Sequence, residues 1–187
     1  PLDMFNSAVH SFNALTSEYL QRFGPEADEN VLRREMALNK LTDLRVCQGL
    51  MLHQLKYWRE YLDCRDRYAE WRWEAIIADP IGSVQWVGRQ LGLDIGAEEA
   101  HAIWTPMDHR NLLMYHKHNY RKDHGILGDW LNHLHATHID MARALGLVDI
   151  AAALGYDLDA WHTARPRSAF QDELDYYLRR EQVAPMQ

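Results

Sequence analysis

Cysteine is scarce: Cys47 and Cys64 are the only two in 187 residues. Two cannot build a disulfide framework, so they read as reduced core residues of a cytosolic-type, cytoplasmic protein. Positive charge is also short, with 20 Lys and Arg against 27 Asp and Glu and a formal net charge of −7. A general nucleic-acid binder needs a basic footprint, and that class is excluded. No apolar run approaches the length of a membrane span, and low-complexity tracts and internal repeats are absent. The six prolines and ten glycines are nowhere dense enough to mark a linker. No Gly-Lys-Ser/Thr phosphate loop occurs. The first residue is Pro1 in place of an initiator Met, with no signal-peptide pattern behind it. The N-terminus is therefore expected to be processed, or the chain to begin inside a longer polypeptide.

What is present is ordinary globular usage, 47% hydrophobic and 25% charged. A chain of this length buries roughly 70% of its unfolded surface, enough for one core. The expectation is a single domain over 1–187 whose segment 163–187 forms a C-terminal helical extension. Most of the pattern is helical. Phe5, Val9, Phe12, Leu15, Tyr19 and Phe23 recur at spacings of three and four, ending at Gly24-Pro25. A second stretch runs from about Asn30 to Leu62, with an interruption expected at Gly49. Between Tyr68 and Ala78, Trp71, Trp73 and Ala75 alternate with Arg72 and Glu74, the period of a half-buried strand. Asp79-Pro80 breaks it, and a helix over Ser83–Leu91 stops at Gly92. Further helices are expected at Ala97–Trp104, Trp130–Leu145 and Ile150–Leu154, and after Pro166.

Chemistry concentrates in Asn119–Trp130, NYRKDHGILGDW. Arg121, Lys122 and His124 stand beside Gly125 and Gly128, just before a helix start. Glycines admit a ligand close to the backbone, N–H groups at a helix start attract anions, and two cations add charge. That combination suits a phosphate; its bland reading is a solvated basic turn. The eleven histidines invite a metal reading at His133, His135 and His138 or at His116 and His118. On one helix His135 and His138 share a face while His133 points away, which makes a poor three-ligand site. No metal site is expected.

The order of these features resembles the C-terminal two-thirds of a sulfotransferase that uses 3′-phosphoadenosine 5′-phosphosulfate (PAPS). RKDHGILGDW is similar to the family's RKGxxGDW, and WRWEAIIADP resembles its RYEDL strand followed by a DP turn. VQWVGRQLGL looks like the next helix with its hydrophobic-Gly-hydrophobic end. GLMLHQLKYW, with His53 and Trp58, is similar to the helix preceding that strand. PLDMFNS resembles the tail of the family's R-[ND]-P-x-D-x-x-x-S helix start, and ALGYD (Ala153–Asp157) a common closing motif.

The resemblance implies an α/β, P-loop-NTPase-like sulfotransferase fold, of which this chain is the predominantly helical C-terminal portion. It implies transfer of a sulfuryl group from PAPS to a hydroxyl or amine on a small-molecule or carbohydrate acceptor. Ser7 falls where the family's serine meets the 3′-phosphate, and Trp73 where an aromatic residue borders the adenine. Arg121, Lys122 and Gly125 fall in the 3′-phosphate loop. Here Asp123 and His124 add two residues to the family spacing, so with the glycines in register His124 takes the lysine's place. The family's PKSGTTW loop for the 5′-phosphosulfate is missing, as is its catalytic base. The parallel sheet and sulfate-handling residues are therefore expected upstream of Pro1. The alternative is a non-catalytic, sulfotransferase-like helical interaction module.

Overall fold

The computed structural model describes residues 2–9, 21–24, 26, 28–108, 128–158 and 166–183. The chain divides into two compact units, Pro1–Asp63 with Gly128–Gln187, and Cys64–Leu127.

Unit 1 is built from α1 (Leu2–Val9), α2 (Glu29–Thr42), α3 (Leu44–Asp63), α7 (Trp130–His133), α8 (Ala136–Ala144), α9 (Leu147–Ala153) and α10 (Ala169–Val183). The 20-residue α3 is the axis of packing, touching α1, α2, α8 and α9. Its Cys47, Met51 and Leu55 recur every fourth residue and lie fully or almost fully buried. They join Phe5 and Val9 of α1, Leu38 and Leu41 of α2, and Leu174 and Leu178 of α10 in one apolar cluster. Burial of such side chains contributes about 1.5–3 kcal/mol each. The segment 163–187 carries α10, which packs on α2 and α7.

The break between α2 and α3 falls at Asp43, not at Gly49. Asp43 Oδ1 accepts the backbone N–H groups of Arg45 (3.0 Å) and Val46 (3.3 Å), so a side-chain cap starts the new helix. Gly49 sits inside α3 with open space where a Cβ would be.

Unit 2 holds a 3₁₀ turn (Arg65–Arg67), α4 (Trp73–Ala78), α5 (Pro80–Gln90) and α6 (Ala97–Met107). The expected strand over Tyr68–Ala78 is corrected. Residues 69–72 are irregular and Trp73 opens a helix, so no α/β sheet exists among the described residues. The alternation of Trp71, Trp73 and Ala75 has no neighbouring strand to take up its backbone N–H and C=O groups. Helix satisfies them locally, and Trp73 to Ile76 is also a helical spacing. Ile76 is the one residue of α4 that is buried.

The stop at Gly92 is as the sequence predicts, whereas the helix expected from Ser83 begins three residues earlier, at Pro80. Asp79 caps α5 by accepting from Gly82 N–H at 2.9 Å, with Pro80 at the first helical position. Gly92 (φ +73°) ends α5 and Gly155 (φ +82°) ends α9. In each case the glycine N–H and the next residue's N–H bond back to the helix: Gly92 to Arg89 and Leu93 to Gly88, Gly155 to Ala152 and Tyr156 to Ala151. These are Schellman stops, which account physically for both the LGL and the LGY sequences.

Candidate functional site

The start of α1 and the Gly128-Asp129-Trp130 turn meet in unit 1. Asp3 lies in the first turn of α1. Its Oδ2 accepts Gly128 N–H at 2.9 Å and its Oδ1 accepts Trp130 N–H at 3.2 Å, across 125 residues of sequence. Gly128 adopts φ +77°, which an L side chain rarely tolerates. Burial pushes the Asp3 carboxyl above the usual carboxylate range; the two backbone hydrogen bonds partly offset it, and the charge of Asp129 adds to it.

One turn along, Asn6 is buried and its Nδ2 donates to Asp129 Oδ2 at 3.2 Å. Asp129 Oδ1 accepts from Asn132 Nδ2 at 3.2 Å. His133 Nδ1 lies 3.0 Å from the Asp129 carbonyl oxygen, which calls for the proton on Nδ1. The imidazole meets the Phe170 ring edge-on at 5.0 Å. Gln171 of α10 closes the turn, its Nε2 donating to the carbonyls of Leu131 (2.8 Å) and Leu134 (2.7 Å). The two carboxylates therefore face inward onto N–H donors.

Ser7 is exposed on α1 and follows Asp3 by four residues, so both lie on one helix face. Arg121, Lys122 and Gly125 lie outside the described residues, in the segment that leads directly into Gly128. Trp73 opens α4 of unit 2 with 44% of its surface exposed, as a helical residue and not a strand residue. Ser7 and Trp73 thus belong to different units.

The histidines are arranged differently from the single helix expected at Trp130–Leu145. That stretch breaks at Leu134-His135 into α7 and α8. His135 caps α8 by accepting Thr137 N–H at Nδ1 (3.2 Å), and its own N–H donates to His138 Nδ1 (3.2 Å). His138 is fully buried, and its Nε2–H donates to the Leu41 carbonyl at 2.8 Å. Burial drives its pKa down, with the Leu41 hydrogen bond opposing the shift. His135 Nε2 meets Asp175 Oδ1 at 3.2 Å. Imidazole replaces the usual Ser, Thr or Asp in this capping box, which is why the residue types alone did not mark the boundary. No group of three or more metal-ligating side chains occurs among the described residues. No helix among them is long and apolar enough to cross a membrane. No protein-family model, curated protein or solved structure matches the chain.

Proposed function

We propose that the chain holds the 3′-phosphate of PAPS through Ser7 and the loop bearing Arg121, Lys122 and Gly125, and that it serves a sulfotransferase acting on a hydroxyl or amine. The observation that carries this reading is the pair of hydrogen bonds from Asp3 to Gly128 and Trp130. The two segments that the resemblance assigns to one phosphate, PLDMFNS and RKDHGILGDW, are joined by the Asp3 carboxylate, which accepts the backbone N–H groups of Gly128 and Trp130 despite their separation in sequence. Ser7 presents an exposed hydroxyl one turn from that junction.

The division of labour follows from the charges. Asp3 and Asp129 hold the junction together while their oxygens are occupied by N–H donors, so they position without presenting a free carboxylate. Ser7 donates a hydrogen bond to a phosphate oxygen, and Arg121 and Lys122 supply the positive charge that an acidic chain otherwise lacks. The bound nucleotide supplies the sulfuryl group for in-line transfer, where positioning and stabilisation of spread negative charge do most of the work. No residue of this chain is assigned as the base.

Isothermal calorimetry with adenosine 3′,5′-bisphosphate and adenosine 5′-monophosphate tests the reading. Charge-assisted hydrogen bonds contribute about 1.5–3 kcal/mol, so the bisphosphate is expected to bind roughly tenfold tighter or more. The double substitution Arg121→Ala with Lys122→Ala should erase that preference, and Ser7→Ala should weaken it a few-fold. Equal affinity for the two nucleotides, or a preference that survives the double substitution, rejects the phosphate assignment. No binding of either nucleotide favours the helical interaction module instead.

A further inference from the structure

Unit 2 carries a groove of about 580 Å³, within the range of small-ligand sites. Its walls include Glu70, Trp71, Arg72, Asp79, Trp86 and Arg89. The Trp71 and Trp86 rings lie 6.4 Å apart between centroids, with planes inclined by 30°. A flat ring inserted between them would need roughly 7 Å, twice the carbon–carbon contact distance. The pair is therefore one apolar step and not a slot. Trp71 leaves 40% of its surface open to solvent.

The polar groups beside this step are already oriented. Glu70 accepts from Arg65 Nε at Oε2 (2.8 Å) and from Arg72 Nε at Oε1 (2.5 Å). Those two guanidiniums hold its carboxyl below the usual carboxylate range. Asp79 is engaged by the Gly82 N–H. Arg89 is exposed, one turn beyond Trp86 on α5, and its guanidinium has no ion-pair or hydrogen-bond partner among the described residues.

Charge and shape together narrow the ligand. A quaternary ammonium stacks on indole but needs an open countercharge, and Glu70 is neutralised twice over while Arg89 repels a cation. A nucleobase would have one open indole face and no second ring to sandwich it. A pyranose has a C–H face for the indole surface and hydroxyls for the fixed carboxylate and guanidinium edges. An acid group on that sugar matches the guanidinium of Arg89, which has no partner among the described residues. We propose that this groove is a binding site for an acidic sugar, the ring stacked on Trp71 and Trp86 and the anion on Arg89. The inference stands on unit 2 alone and does not rest on the nucleotide reading.

The test is titration of the whole chain by saturation-transfer NMR and tryptophan fluorescence, with two probes. One is a tetrasaccharide of alternating glucuronate and N-acetylglucosamine; the other is neutral chitotetraose. Saturable binding of the acidic probe is expected, with the neutral one at least fivefold weaker. Trp71→Ala changes an exposed side chain, and circular dichroism confirms that it folds; it should lower affinity about tenfold. Arg89→Gln should abolish the preference for the acidic probe. Absence of saturable binding, equal affinity for both probes, or unchanged affinity in Trp71→Ala overturns the proposal. Adenosine 3′,5′-bisphosphate titrated in parallel reports on Ser7 and its loop, so failure of one reading is separable from failure of the other.

Discussion

The two units solve the problem of helix stability by different means. Unit 1 buries Phe5, Leu38, Leu41, Met51, Leu147 and Leu174 at 2% exposure or less. The buried apolar side chains of unit 2 among the described residues are Ile76, Val84 and Ala100, while Tyr68, Leu91 and Met107 each stay more than half exposed. What organises unit 2 is local: the Asp79 cap, the Gly92 stop and the Glu70 ion pairs. A buried Leu or Phe contributes about 1.5–3 kcal/mol and a cap about 1, while ion pairs in contact with solvent contribute little because water and salt screen them. Unit 2 should accordingly open at lower denaturant than unit 1. A sparsely packed unit also leaves aromatic surface free, which is what the Trp71–Trp86 groove uses.

The cysteines report on the units separately, because Cys47 lies in the unit 1 core and Cys64 at the first residue of unit 2. Burial, reinforced by the charge of Asp43, pushes the Cys47 thiol up to about 12, so it should resist alkylation until unit 1 opens. The largest effect is expected from Phe5→Ala, which leaves a cavity in unit 1 and costs about 3–5 kcal/mol. Urea-dependent labelling of Cys47 should shift accordingly, whereas Ile76→Val in unit 2 should cost only about 0.5–1.5 kcal/mol. Equal shifts for the two substitutions would break the comparison.

Next comes Asp3→Ala, which strips the Gly128 and Trp130 N–H groups of their acceptor and costs about 1–3 kcal/mol. Asp3→Asn keeps one acceptor and should recover part of the loss in chemical denaturation. A midpoint unchanged in Asp3→Ala means that the junction between α1 and the Gly128 turn contributes nothing. The Asp3 carboxyl is raised in the fold, so its contribution is greatest below the carboxylate range and declines as pH rises through its folded value.

His138 works in the opposite direction. Its folded pKa lies below the unfolded value of about 6.5, so the fold binds fewer protons there than the unfolded chain does. Its contribution is complete above that value and is lost as pH falls beneath it, by up to about 1.4 kcal/mol per pH unit. Denaturation midpoints followed from pH 7.5 to 5 by Cys47 labelling should decline, and His138→Gln should flatten the decline. An equally steep decline in the variant shifts the responsibility to other groups.

The smallest effects come from one substitution with opposite signs in the two units. A Cβ at Gly82 would run into the Asp79 carboxylate, so Gly82→Ala should disrupt the α5 cap and cost about 1 kcal/mol. At Gly49 the Cβ meets nothing, and Gly49→Ala should stabilise α3 by about 0.5–1 kcal/mol. Amide exchange at Ser83 and in the middle of α3 reads each separately. Two effects of the same sign would mean that the cap is not what holds the start of α5.

Parts of this architecture were legible because their causes are local. Gly92 ends a helix by backbone geometry that needs no distant residue, and Asp79-Pro80 marks a boundary for the same reason, although it reads as the end of a strand and is in fact the start of α5. Other boundaries were hidden by unusual chemistry, as where His135 takes a capping role normally filled by smaller side chains. Gly49 looked like a break because of its propensity, yet the packing of α3 outweighs a cost of about 1 kcal/mol. For the site, Ser7 was legible as a helix-surface residue, but the reach of Asp3 to the Gly128 turn and the roles of Asn6 and Asp129 were not. Nothing in PLDMFNS announces that its aspartate accepts hydrogen bonds from a turn 125 residues away.

The sequence alone determined the helical character of most of the chain, its acidic balance, and the helix stop at Gly92, since each follows from the residue and its near neighbours. Only the tertiary structure decided that Trp73 begins a helix, because alternation becomes a strand only when another strand accepts its hydrogen bonds. It likewise decided that α1 and the Gly128 turn share one junction, because a carboxylate finds distant N–H groups only after the core between them has packed.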